Sequence, residues 1–372
     1  MDVLPQNFRT LWLCGLWDED KKFSPTFYLY KIFVLLLVCH ISLGQLLFVF
    51  VTSKNVKELT TGLVFTVKFI ELCVKLINFM FKKKHMEDLL SIFRDDTCQE
   101  MSIDEELILN KYKRKSRQFF WIFLIVSECM TTIYMIQCAL NWKESIDLPF
   151  QIYDPFNFTE FTIMIVFYVA EVVECSYSVC LNVCFDTMVY GFINLTCGLY
   201  ELLCFRIKRC DRKDSKLPIT VKECVMLHIT ILKILNKIKT FFMGAITIMF
   251  IFTLSVICSG IFVVTEKSSK LDAEKMILLY YILCIVAQSY MYCWFGTELE
   301  EKMKSVAVAV YEVDWTFSTP AEVRSLTLMI LIAQRGSTIS YRGLCSLSNE
   351  TFGWIIKSAY GALNVLKNYS SS

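Results

Sequence analysis

Long apolar blocks separated by shorter polar stretches set the architecture of this chain. Six blocks, 32–52, 59–81, 118–140, 161–183, 241–264 and 276–295, are predominantly apolar. Each approaches the roughly 20 residues that a helix needs to cross about 30 Å of hydrocarbon. A seventh block, 351–366, is shorter and interrupted by Lys357, Gly361 and Asn364. The run from Leu326 to Ala333 is too short to span and reads as a helix buried against protein on one side of the membrane. The pattern predicts an all-α polytopic membrane protein, with seven transmembrane helices forming one domain over residues 1–372.

Charge placement gives an orientation. Of the 38 Lys and Arg, 28 lie in the N-terminal segment, 82–117, 204–239 and 297–348, against 7 in the intervening connections and the C-terminal tail. Cytoplasmic loops carry the basic excess, so the N-terminus is expected in the cytoplasm and the C-terminus outside. A G-protein-coupled receptor would have to export those 28 basic residues, and its topology is excluded on that ground. Of four sequons, Asn157-Phe158-Thr159 in an outer connection and Asn368-Tyr369-Ser370 on the outer tail fit this topology, Asn157 being the candidate glycosylation site; those at Asn194 and Asn349 fall on the cytoplasmic side. No cleavable signal pattern precedes the first span, which is expected to act as its own insertion signal.

Composition agrees with this class: 55% of residues are hydrophobic, and mean hydropathy is +0.48. A net charge of +2 supplies no field for nucleic acid. The 17 Cys have neither Cys-x-x-Cys spacing nor His partners, so they read as small buried apolar residues, with no metal or cofactor implied. His-Glu-x-x-His, Gly-x-Ser-x-Gly and Gly-rich phosphate loops are missing, as are the internal repeats of transporters, so enzyme and transporter are the weaker readings.

Charges inside spans are costly and mark function or pairing. Glu71 stands three residues after Lys68 and four before Lys75, spacings that permit ion pairs on one helix face. The group is either a neutralised pair at a helix contact or part of a polar cavity. Glu128, Glu171 and Glu174 are further examples, open to the same two readings; a carboxylate such as Glu171 near the pocket could select amines. On the seventh span, at 100° per residue, Lys357, Gly361, Asn364 and Asn368 fall within about 60° of one another, with Ser358 and Val365 beside them. Such a stripe suits either a water-filled pore or a close helix contact.

The stretches Tyr311-Glu312-Val313-Asp314-Trp315, Leu328 to Arg335, Ser348-Asn349-Glu350-Thr351-Phe352 and Ser358-Ala359-Tyr360 resemble, in order and spacing, the C-terminal signature of insect odorant receptors. Leu13-Cys14-Gly15-Leu16-Trp17 is similar to that family's N-terminal pattern. Gly361 stands where the family commonly has Ser, and Lys367 takes the terminal basic position. The ending usual in insect gustatory receptors, the alternative family, is missing, as is the long fourth connection of the odorant co-receptor.

The resemblance implies a cation channel opened directly by a small volatile odorant in the plasma membrane of olfactory sensory neurons. Its four subunits would surround one pore, the co-receptor completing the heterotetramer. Val365 takes the place of a hydrophobic gate, with Asn368 just outside it, and Tyr311 and Trp315 fall in a cytoplasmic region that is either a subunit anchor or an intrachain core. The implied ligand site lies in the outer half of the bundle, where the corresponding residues are Phe65, Phe69, Tyr134, Met135, Cys138, Tyr168, Phe262, Tyr280, Tyr281 and Cys284. Their aromatic rings and sulfur atoms offer dispersion contacts, and the Tyr hydroxyls offer donors to an oxygen-bearing ligand.

Overall fold

The computed structural model describes residues 3–18, 25–52, 56–141, 148–150, 152, 161–210, 220–266, 273–314, 319–336, 339–341 and 345–370. Seven long helices follow the seven blocks: α2 (Pro25–Thr52), α3 (Val56–Phe81), α5 (Ile103–Asn141), α6 (Phe161–Cys210), α7 (Val221–Glu266), α8 (Ala273–Tyr311) and α10 (Asn349–Ser370). Between them stand the shorter α1 (Pro5–Leu13), α4 (Lys83–Phe93) and α9 (Pro320–Arg335). A 3-10 turn at Asp96–Cys98 and a two-stranded antiparallel hairpin, β1 (Ser340–Tyr341) with β2 (Cys345–Ser346), complete the described elements.

Five of the long helices, α2, α5, α6, α7 and α8, are apolar enough to cross a membrane by composition alone. The other two are α3, which carries Lys68, Glu71 and Lys75 along its length, and α10, which carries Lys357 and the polar stripe.

Helix lengths exceed the spans read from hydropathy because several helices continue into the basic side of the bundle. At 1.5 Å per residue, the 50 residues of α6 extend about 75 Å, more than twice the hydrocarbon thickness. From Leu181 to Tyr200 every residue of α6 is buried except the half-buried Asn182. A helix that is covered all round is a core element, and α6 is the mast on which α1, α2, α5, α7 and α8 pack.

Polar contacts fix the elements on the basic side. The Asn7 amide donates to the Cys184 carbonyl (2.9 Å) and to the Thr187 hydroxyl (2.8 Å), docking α1 on the mast. Arg206 on α6 is wholly buried; its guanidinium donates to both carboxylate oxygens of Glu105 (3.1 and 2.9 Å) and to the carbonyls of Thr97 and Gln99. That arrangement ties the start of α5 and the 3-10 turn to α6 by bidentate, charge-assisted bonds.

The segment 326–333 lies within α9, as its length implied. Pro320 opens the helix, and a reciprocal capping box joins Thr319 and Glu322. Gly336, at φ 65, ends it. The hairpin then presses on α8 at Gly296, where a side chain would collide with the Leu347 carbonyl. The Thr297 hydroxyl accepts the Asn349 backbone N–H at 3.2 Å and so anchors the start of α10.

Candidate functional site

A cavity of about 330 Å³ lies among α3, α5, α6 and α8, in the half of the bundle where α5 ends and α6 begins. Its walls are mainly apolar: Phe65, Phe69 and Leu72 from α3, Phe123, Val126, Met130 and Tyr134 from α5, Cys175 and Val179 from α6, and Tyr281 and Ile285 from α8. Phe150, from the connection between α5 and α6, closes one end. Its ring stands 5.5 Å from that of Phe69, 5.6 Å from Tyr134 and 6.0 Å from Phe65. Two hydrogen bonds hold this cover: the Phe150 backbone N–H donates to Glu171 (3.1 Å), and the Tyr134 hydroxyl donates to the Pro149 carbonyl (2.6 Å).

The opposite end is polar. Lys68, Asn182, Asp186 and Gln288 line it and belong to one buried network. The Lys75 ammonium donates to Asp186 Oδ1 (2.6 Å) and Asn182 Oδ1 (2.7 Å), and it lies 2.6 Å from Glu71 Oε1. Lys68 donates to Glu71 Oε2 (2.6 Å) and to Gln288 Oε1 (3.1 Å). Gln288 Nε2 and the Tyr292 hydroxyl both donate to Asp186. Two ammoniums thus face two carboxylates, and the network is neutral. The local pairing of Glu71 with Lys68 and Lys75 is one half of it; Asp186 and Gln288 are the half that spacing along α3 does not reveal.

Of the ten residues proposed for ligand contact, Phe65, Phe69, Tyr134, Tyr281 and Cys284 line the cavity. The other five do not. Met135 is buried one layer behind, packed with Phe69, Phe150 and Cys175. Cys138, one helical turn beyond Tyr134, is absent from the lining, and Tyr168 donates its hydroxyl to the Met135 carbonyl at 3.0 Å. Tyr280 turns outward, next to the inward Tyr281. Phe262 packs instead with Cys258 and Leu363, against α10. The donor role expected of the tyrosines is also corrected, because Tyr134 and Tyr281 both spend their hydroxyl protons on backbone carbonyls, of Pro149 and Val64. Glu171 holds the cover and does not line the cavity, so it is no amine selector there.

On α10, Ile355, Ala359 and Leu363 are buried against the bundle, chiefly α7. The remaining surface is open in the single chain: Trp354, Lys357, Tyr360, Gly361, Asn364 and Val365 are exposed, Val365 at 68%, and Ser358 is half-buried. Nothing approaches within 4 Å of where a side chain at Gly361 would begin. Asn368 lies in the helix, but its side chain is outside the described residues, as are Trp315 and Asn157. Tyr311 ends α8 and is 80% exposed.

A mostly apolar, half-open cavity among four helices of a seven-helix membrane bundle has the character of a small-molecule site. The 7tm Odorant receptor family matches residues 55–360, and the chain belongs to that family. Odorant receptor 46a, isoform A, of Drosophila melanogaster is 23% identical over 91% of this chain and 88% of its own length. Odorant receptor Or2 of Anopheles gambiae is 21% identical over 89% of each. In three dimensions the chain is similar to the insect olfactory receptor OR5 from Machilis hrabei, with TM-score 0.83 at 12% identity over 97% of this chain and 96% of that one. The same receptor in complex with eugenol gives the same TM-score over 98% and 97%. The protein is an odorant receptor rather than an enzyme.

Proposed function

We propose that the chain is the odorant-binding subunit of a ligand-gated, non-selective cation channel, completed by the odorant co-receptor in the plasma membrane of olfactory sensory neurons. The N-terminus is cytoplasmic in this reading, following the basic-residue asymmetry. The odorant occupies the cavity beneath Phe150, and the receptor solved with eugenol supports a small organic ligand for this fold. α10 lines the pore with Lys357, Ser358, Gly361, Asn364, Val365 and Asn368, and Val365 is the apolar gate. Tyr311 and Trp315 belong to the subunit anchor.

One observation carries the reading. Tyr281, a cavity wall residue on α8, packs in the same buried cluster as Ala359 of α10, together with Val64, Val256 and Ile257. A ligand pressing on Tyr281 therefore acts on the packed cluster that also holds the helix whose far face is open. Close-packed interiors transmit such displacements, and an apolar constriction gates by wetting and dewetting without moving charge.

The test is electrical recording from cells expressing this chain with and without the co-receptor, during application of an odorant panel. Odorant-evoked cation current only on co-expression is expected. Failure of every odorant to evoke a current that depends on this chain contradicts the proposal.

A further inference from the structure

The polar end of the cavity is rich in donors. Both amide oxygens there are turned to ammoniums, Asn182 Oδ1 to Lys75 and Gln288 Oε1 to Lys68, which fixes the orientation of both amides. Their N–H₂ groups are left as the available polar atoms. Gln288 commits one N–H to Asp186. Lys68, 12% exposed at the side chain, commits two of its three N–H groups, to Glu71 and Gln288. Lys68, Gln288 and Asn182 each therefore keep at least one N–H without a partner among the described residues, and all three line the cavity. The carboxylates, by contrast, face cations: Glu71 accepts from Lys68 and pairs with Lys75 at 2.6 Å, its Oε1 without a hydrogen bond but outside the cavity lining, and Asp186 accepts from Lys75, Gln288 and Tyr292.

We propose that this site selects uncharged ligands with an apolar body and a hydrogen-bond-accepting oxygen, such as ketones, esters and aldehydes, and that Lys68 is the specificity-determining residue. The inference rests on the cavity being the odorant site. A carbonyl oxygen takes the free N–H of Lys68 while its alkyl part fills the aromatic walls under Phe150. Charge is refused at both signs. The network of Lys68, Lys75, Glu71 and Asp186 is already neutral, so a buried carboxylate or ammonium ligand adds an uncompensated charge in a low-dielectric site. A hydrocarbon fits the walls but leaves the donors unmet.

The experiment records currents from cells co-expressing the chain and the co-receptor, using sets matched in carbon skeleton: C6 to C9 2-ketones, methyl esters, 1-alkenes, carboxylates and primary amines. The ketones or esters are expected to act at concentrations about tenfold or more below the matched alkenes, with carboxylates and amines inactive. Lys68→Met is expected to bring ketone and alkene potencies together. Lys68→Met/Glu71→Gln restores the charge balance of the network and should do the same, with surface labelling of both variants showing normal delivery.

Silence of every neutral oxygenated compound, potency confined to alkenes, acids or amines, or an unchanged ketone preference in both variants overturns the proposal. Val179→Trp, which fills the cavity, separates the two levels. If it abolishes all responses while the Lys68 variants keep the ketone preference, the site stands and the selection rule fails. If Val179→Trp leaves all responses intact, the site itself is wrong and the rule falls with it.

Discussion

The Lys75 ammonium on α3 lies 2.6 Å from Asp186 on α6, and this buried contact joins α3 to the mast of the bundle. Removing one partner of a buried pair strands the other, at a cost of about 3–5 kcal/mol. Lys75→Met is therefore expected to reduce surface delivery severely. Lys75→Met/Asp186→Asn, in which Lys68 still faces Glu71, should recover much of it. Surface biotinylation of both variants checks this; equal loss in the two would show that pairing is not what the site requires.

Gly296 couples α8 to the hairpin that launches α10. A Cβ there would collide with the Leu347 carbonyl oxygen, so Gly296→Ala must push the hairpin backbone away. The expected cost is about 1–3 kcal/mol, as for overpacked sites. Gly353→Ala is the control, since nothing lies within 4 Å of its Cβ position. Thermal unfolding in detergent should separate the two variants clearly.

On the basic side, Glu201 accepts hydrogen bonds from Tyr112 and from Lys302 at 2.6 Å. Burial alone would raise its pKa, but these bonds and the charges of Lys302 and Lys111 outweigh burial and hold it below the ordinary carboxylate value. A carboxylate depressed in the folded state adds stability above its unfolded pKa, near 4.3, and loses it as pH falls through the folded value. Glu201→Gln should therefore lower the melting temperature at about pH 7, and its deficit should shrink as the buffer is taken to about pH 4 and below. A deficit that is constant with pH would assign the effect to packing.

Seven spans were legible because 3.6-residue helices must hide their backbone in lipid, so apolar length maps directly onto structure. The polar face of α10 was legible from its wheel, since Lys357, Gly361 and Asn364 do fall on the open side. The cavity was half legible. Phe65, Phe69, Tyr134, Tyr281 and Cys284 line it, but adjacent residues such as Tyr280 and Tyr281 diverge by 100°, and depth in the membrane says nothing of rotation. Phe150 and Asp186 were missed for different reasons. Leu148-Pro149-Phe150 is an apolar triplet in a polar connection, a signal that was present but weak. Asp186 lies just beyond the expected fourth span, and only tertiary packing brings it to Lys75.

The central claim, that α10 lines an odorant-gated pore with Val365 at its gate, is tested most directly by recording Val365→Ala with the co-receptor. A smaller apolar ring dewets less completely, so basal current is expected to rise or cation permeability ratios to shift, while the cavity and its ligand preference stay as in the parent. Basal current, permeability ratios and odorant-evoked current all indistinguishable from the parent channel would contradict it.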